Sequence, residues 1–166
     1  MAVNLDVGRF ALFVVPPQLL FVPKVPVASQ QALVVEAVGS IVRSLPHTPF
    51  VGAGLNFTWE VWPEHEDLGR LSRRLFSVPE GALFQAFEAD DARFGTYVSK
   101  ATLGCRLRLD IKPVNEGLEK LRLFCNFHVD IQQNSDNALQ DILQHLARWD
   151  HAMEETQAVV GLLDVR

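Results

Sequence analysis

The sequence has few of the residues that mark metal sites, redox sites and disulfide-rich secreted domains. Its two cysteines, Cys105 and Cys125, do not form a CxxC pair. Zinc and thioredoxin-type motifs need such a pair, and a disulfide framework needs more cysteines. Glycine-rich phosphate loops and the nucleophile elbow of hydrolases are also missing. We therefore predict free thiols in a reducing, cytoplasmic compartment, with no cofactor, no bound metal and no catalytic residue.

Long apolar runs and basic runs are missing as well. The apolar stretch Phe10–Val15 ends at two prolines and is far shorter than the roughly 20 residues of a membrane span. The formal net charge is -5, whereas binding to nucleic acid depends on lysine and arginine that neutralise phosphates. We therefore predict neither a membrane partner nor a nucleic-acid partner.

The residues that are present predict one α+β domain spanning residues 1–166. The chain is 48% hydrophobic and has eleven phenylalanines, enough for a core. Apolar residues alternate with polar ones at 51–61, 103–112 and 121–131, which is typical of half-buried strands. Apolar residues at three- and four-residue steps predict helices at 29–45 and 136–163. The predicted fold is an antiparallel sheet with these two helices packed on one face.

Weaker patterns complete the predicted order. We expect a hairpin of strands at 9–15 and 18–22, a short helix at 63–76, and strands at 82–87 and 94–98. A turn is expected at 113–117 because it contains proline and glycine. Ser29 is the predicted N-cap of the first helix, and Ser135 or Asp136 that of the last.

Polar residues on two of these strands form a candidate ligand site. Asn126, His128 and Asp130 alternate on one strand and so share a face, and an imidazole beside a carboxylate suits a metal or an oriented base. Arg106, Arg108 and Arg122 are expected on the same face, where they could bind an anionic ligand or an acidic partner. The alternative is an ordinary solvated face whose charges pair with one another.

The end of the last helix is a candidate interface. After residue 157 apolar side chains lie nearly all round the helix, and an exposed apolar patch often marks a contact surface. The predicted interface residues are Trp149, Val159, Val160, Leu162 and Leu163. The alternative is that Gly161 ends the helix and the last residues fold back on the domain. A protein partner or a homo-oligomer is therefore expected.

Three short segments resemble a known group of proteins. Residues 45–49 (LPHTP), 54–57 (GLNF) and 126–128 (NFH) are similar to elements of small uncharacterised bacterial proteins. The resemblance implies membership of that group and a bacterial source, and it implies no activity. The order of strands and helices also resembles the SecB-type chaperone fold, although a fold does not determine a function.

These observations favour a non-enzymatic binding or accessory protein that acts through protein-protein contacts. One alternative is a small-molecule or metal-dependent enzyme built on the polar face around His128. Another is a chaperone-like module that holds peptides.

Overall fold

The computed structural model describes residues 2–89, 91–114, 119–132 and 137–163. Within these ranges the strands are β1 (Val3–Val7), β2 (Phe10–Val15), β3 (Gln18–Pro23), β4 (Gly52–Val61), β5 (Thr96–Thr102), β6 (Cys105–Val114) and β7 (Lys120–Asp130). The helices are α1 (Gln30–Ser44), α2 (Leu68–Phe76), α3 (Ala82–Ala86), α4 (Ala138–Leu146) and α5 (Trp149–Gly161). The α+β class is therefore confirmed. The strands form two antiparallel sheets, and the three strands predicted at 51–61, 103–112 and 121–131 lie in one of them.

The chain divides into two compact units, and each is built from two separate stretches of sequence. The first unit contains residues 1–53 and 130–151, and the second contains residues 54–129 and 152–166. The chain therefore passes from one unit to the other within β4, β7 and α5. The prediction of a single domain over 1–166 stays a prediction.

In the first unit, β1, β2 and β3 form a three-stranded antiparallel sheet. The hairpin of β2 and β3 is confirmed, with Val15 opposite Gln18 across the turn. Strand β1 had no predicted counterpart, although Val3, Leu5 and Val7 alternate with polar residues.

Helix α1 packs against α4 in the same unit. Gly39 of α1 is buried, and a Cβ atom there would lie 3.1 Å from Cδ2 of Leu143 on α4, so the glycine allows a close approach. Leu33, Val34 and Val42 are the buried apolar residues of α1. Ser29 is the N-cap as predicted, but its side chain makes no capping hydrogen bond, because its backbone is helical rather than extended.

In the second unit, four strands form a sheet in the order β4-β7-β6-β5. The alternation predicted for β4, β6 and β7 is confirmed, since one face of these strands is buried. Its buried residues are Leu55, Phe57, Leu107, Leu109, Ile111, Leu121, Leu123, Cys125 and Phe127. The rings of Phe57 and Phe127 meet edge to face, with centroids 6.0 Å apart.

The second half of α5 lies against this sheet. Nε1 of Trp59 on β4 donates a 3.0 Å hydrogen bond to Oγ1 of buried Thr156. Glu155 accepts a hydrogen bond from Thr102 and forms an ion pair with Lys100, both on β5. These contacts confirm that the end of the predicted 136–163 segment is a helix on the sheet. That helix α1 covers the same face stays a prediction.

The prediction of one continuous helix over 136–163 was wrong. Helix α4 ends at Leu146, where the Arg148 N–H bonds the His145 carbonyl three residues back and tightens the turn. The Asp150 N–H at the start of α5 then donates to Oε1 of Gln31 on α1, 3.0 Å away. A side chain distant in sequence thus caps a helix start that the apolar periodicity did not reveal. The expected caps at Ser135 and Asp136 lie outside the described residues, as do residues 115–117 of the expected turn.

Three other elements differ from the predictions. Residues 82–86 form helix α3 rather than a strand, because a short apolar run fits either structure. Helix α2 starts five residues later than the predicted position 63, since the carboxylate of Asp67 accepts the Arg70 N–H at 3.0 Å and caps the helix there. The strand expected at 94–98 is β5, which runs on to Thr102.

Candidate functional site

The predicted basic residues lie together on the face of the four-stranded sheet opposite its buried side. Arg106 pairs with His128 across β6 and β7, and Arg108 pairs with Asn126. Directly paired residues of antiparallel strands point to the same face. Lys112 and Arg122 are paired in the same way. We call this surface the open face. Asp130 ends β7 and belongs to the first unit.

Small residues on β5 leave room for the arginines to extend towards the edge of the sheet. Arg108 lies opposite Ser99, and Arg106 lies opposite Ala101. Nη2 of Arg106 donates a 2.6 Å hydrogen bond to Oγ of Ser99, so its guanidinium lies over β5. Both arginines are exposed. The guanidinium of Arg106 is therefore close to the outer strand of the sheet.

Glu60 of β4 holds two basic side chains at the other side of the open face. Its carboxylate accepts a 2.7 Å hydrogen bond from Lys120 and hydrogen bonds of 3.2 and 3.3 Å from Arg122. The Lys120 hydrogen bond, supported by Arg122, lowers the pKa of Glu60 below its ordinary value. The predicted ligand residue Arg122 thus takes part in an ion-pair network within the sheet.

The amide of Asn126 also has a partner within the sheet. Its Nδ2 donates a 2.7 Å hydrogen bond to Oδ1 of Asn56 on β4. A Cβ atom at Gly54 would lie 3.0 Å from the same nitrogen, so the glycine allows the amide its position. The Gly-x-Asn segment therefore has a structural part in joining β4 to β7.

The half-buried His128 lies beside this amide pair. In the parts of the chain that the structure describes, no three His, Cys, Asp or Glu side chains are grouped so that they could hold a metal ion. Nor is any helix there long and apolar enough to cross a membrane.

Two exposed aromatic rings complete the open face, and neither was among the predicted site residues. Tyr97 of β5 is 62% exposed and pairs with Asp110, while Phe124 of β7 is 41% exposed and pairs with the same residue. Aromatic and arginine side chains are enriched in protein interfaces. Phe124 occupies a position of β7 at which the alternation expects a solvent-facing residue, so the sequence could have identified it as exposed. Tyr97 could be placed on the open face only once the pairing of β5 with β6 was known.

The residues predicted as an interface on the last helix do not form one exposed group. Trp149 is buried, whereas Val159, Val160 and Leu163 are half-buried. Leu162 follows the end of α5 and is 79% exposed. The helix ends at Gly161, as in the alternative to the predicted end at residue 163.

A shallow cleft of about 490 Å³ lies beside α2 and is lined by Arg70, Arg73 and Arg74 together with Phe84. Arg73 lies over the rings of Phe84 and Phe94 and donates to the Ala89 carbonyl. Glu66 pairs with Arg74 at 2.7 Å, and the cap residue Asp67 pairs with Arg70 at 3.3 Å. These partners neutralise much of the cleft's charge.

The two thiols differ in their environments. Burial raises the pKa of Cys125 to about 11, with a further contribution from the Glu155 carboxylate. Cys105 is half-buried, and its Sγ lies 3.2 Å from the Thr102 carbonyl oxygen. Cys125 is thus held in the protonated, unreactive form at neutral pH.

Comparison of the chain with protein-family models, curated proteins and solved structures finds no match.

Proposed function

We propose that this chain is a non-enzymatic protein-binding protein that takes up an acidic, extended segment of a partner at β5. The observation that carries the proposal is the charge of the open face. Its basic side chains are Arg106, Arg108, Lys112, Lys120 and Arg122, while its carboxylates are Asp110 and Glu60. The face is therefore net positive in a chain whose net charge is -5. Such a local reversal of charge favours a partner of negative charge.

The position of β5 supports an extended segment. Among the described residues β5 is an edge strand, paired only with β6, and most of its side chains are exposed. An edge strand presents backbone N–H and C=O groups to which another strand can add. Since Arg106 already lies over Ser99, its guanidinium can reach the carboxylates of a strand added to β5.

A protein fits this surface better than a nucleic acid does. Glu60 and Asp110 form ion pairs with three of the basic groups. Glu60 lies 2.7 Å from Lys120 and 3.2 Å from Arg122, and Asp110 lies 3.3 Å from Lys112. These carboxylates would repel a phosphate backbone. Backbone pairing along β5 suits a peptide chain. Exposed Tyr97 adds an aromatic contact next to that edge.

The test uses a fluorescent peptide of alternating glutamate and valine, with a lysine-valine peptide of equal length as the control ligand. We expect the acidic peptide to bind, to bind less tightly as salt is raised, and to protect the amides of residues 96–102 from hydrogen exchange. The double variant Arg106→Glu/Arg108→Glu should abolish binding. The matched variant Arg43→Glu/Arg70→Glu changes the charge equally at exposed sites elsewhere and should bind normally.

Three results would overturn the proposal. The first is that the acidic peptide does not bind, or that the basic peptide binds as well. The second is that both double variants lose binding to the same extent, which would indicate a general effect of net charge. The third is that a single-stranded oligonucleotide binds more tightly than the acidic peptide, which would make the open face a nucleic-acid surface.

A further inference from the structure

Three neighbouring residues of β5 present three different chemical environments to a strand that pairs with its edge. Residues 97–101 are all exposed, so side chains on both faces of β5 are in contact with solvent. Successive side chains of a strand point to opposite faces. The register with β6 places Tyr97 and Ser99 on the open face, and Val98 between them points to the other face. A segment added to β5 therefore meets an aromatic, an aliphatic and a small polar residue in a row.

We infer that this row selects the sequence of the partner, so that β5 binds an extended segment in which an aromatic, an aliphatic and an acidic residue follow one another. The inference rests on the proposed function and names the class of segment that the site prefers. The aromatic residue lies opposite Tyr97, the aliphatic residue opposite Val98 and the acidic residue opposite Ser99. Their order along the partner depends on whether the segment runs parallel or antiparallel to β5.

The position opposite Ser99 suits a carboxylate. Ser99 has a small side chain, and Nη2 of Arg106 donates a 2.6 Å hydrogen bond to its hydroxyl oxygen. Residues that pair directly on neighbouring strands have Cβ atoms about 4.5–5.5 Å apart. A glutamate opposite Ser99 is therefore within reach of the Arg106 guanidinium, and hydrogen bonds between charged groups are stronger than those between neutral groups.

The position opposite Tyr97 suits an aromatic ring better than a second carboxylate. Tyr97 is 62% exposed, and its neighbour on β6 is Asp110, whose carboxylate would repel an acidic side chain at this position. Aromatic residues that face each other on adjacent strands stabilise the pairing. Phe124 lies two strands farther into the sheet. Of the two exposed rings on the open face, Tyr97 alone can therefore be the direct neighbour of an added residue.

The position opposite Val98 suits an aliphatic side chain. Val98 pairs with buried Leu109, yet it is itself 51% exposed. The apolar side of the sheet thus reaches solvent at this edge. An aliphatic side chain opposite Val98 would remove apolar surface from water, which is favourable.

Fluorescence anisotropy with two seven-residue peptides tests this inference. One peptide has a central phenylalanine, a valine on each side of it, a glutamate beyond each valine and a valine at each end; the control peptide has serine at the centre. The pattern is the same in both directions, so a glutamate lies opposite Ser99 whichever way the segment runs. We expect the phenylalanine peptide to bind about three- to tenfold more tightly than the serine peptide. This ratio should persist as salt is raised, although both peptides then bind less tightly, because salt screens charges.

Variants of the chain locate the preference. Tyr97→Ala should remove the difference between the two peptides while still binding the serine peptide, which also shows that the variant is folded. Tyr97→Phe should keep the difference. Trp62 is the matched control, since it is 47% exposed and follows β4 at the other edge of the same sheet. Trp62→Ala should leave the ratio unchanged.

The inference is wrong if the wild-type chain binds both peptides equally, or if Trp62→Ala removes the preference as Tyr97→Ala does. Its failure is distinct from failure of the proposed function. If the serine peptide binds and phenylalanine adds nothing, the acidic-segment proposal stands without this selectivity. If neither peptide binds, both proposals are overturned.

Discussion

Phe127 offers the sharpest test of the fold, because a second phenylalanine on the same strand is its matched control. Phe127 is completely buried in β7, and its ring meets Phe57 edge to face at 6.0 Å. Phe124, three residues earlier, points to the open face and is 41% exposed. The same Phe→Ala change therefore removes a core side chain at one position and a surface side chain at the other.

The expected loss at Phe127 follows from the space that the substitution leaves. Replacing a buried phenylalanine with alanine lowers the free energy of unfolding by about 3–5 kcal/mol. The edge-to-face pair adds about 0.5–1.5 kcal/mol beyond buried area, which places Phe127→Ala in the upper part of that range. For a chain of this length a loss of that size lowers the melting temperature by roughly 8–20 °C. Phe124→Ala should cost less than about 1 kcal/mol, as most surface substitutions do.

Urea unfolding followed by circular dichroism measures both variants. We expect Phe127→Ala to lower the midpoint while the slope with denaturant stays the same, since the surface exposed on unfolding is nearly unchanged. If Phe127→Ala costs less than about 1 kcal/mol, or if Phe124→Ala costs as much, then the assignment of the two faces of β7 is wrong.

Four further predictions concern polar groups. A thiol reagent should label half-buried Cys105 in the native protein and Cys125 only after unfolding; rapid native labelling of Cys125 would contradict its burial. Because the folded-state pKa of Cys125 is raised to about 11, its contribution to stability is complete below the unfolded pKa near 9 and is lost as pH rises towards 11; a Cys125→Ala variant should lack this loss in urea titrations. Glu60 has a lowered pKa, so its contribution is present above its unfolded pKa of about 4.5 and is lost as pH falls through the lower folded value; Glu60→Gln should flatten the acid limb of stability against pH, and an unchanged limb would refute this. Thr156→Val keeps the shape of the side chain but leaves the indole N–H of Trp59 without its acceptor, which should cost about 1–3 kcal/mol in thermal unfolding, and a neutral result would contradict the hydrogen bond.

The sequence predicted what local patterns determine. The alternation of β6 and β7 was enough to place Arg106 and Arg108 on the same face as His128, because a hairpin pairs neighbouring strands. It could not show that β4 lies next to β7, and so it missed Glu60, whose partner Lys120 is 60 residues away along the chain. The break before Trp149 was missed for a similar reason, since the Asp150 N–H is satisfied by a side chain on α1.

Local sequence patterns also could not show that the strands divide between two sheets. Residues 3–15 and 52–61 have strand patterns alike enough to belong to one sheet, and nothing within either segment states which strand it joins. Pairing is decided by long-range contacts that a periodicity does not encode. The same limit applies to the candidate site, where β5 and its exposed Tyr97 became part of the open face only through the register with β6.

The discontinuous build of the two units has a consequence for how the chain is made. Residues 1–53 leave the ribosome before residues 54–129, but the helix that α1 packs against, α4, follows this second stretch. At ordinary rates of synthesis the first segment waits about 4–15 s for residues 130–151. During that interval β1, β2 and β3 are without the rest of their unit, and apolar surface exposed in this way favours aggregation. No uninterrupted fragment of the chain reproduces either unit, and genetic dissection of this protein must therefore rely on point substitutions rather than truncations.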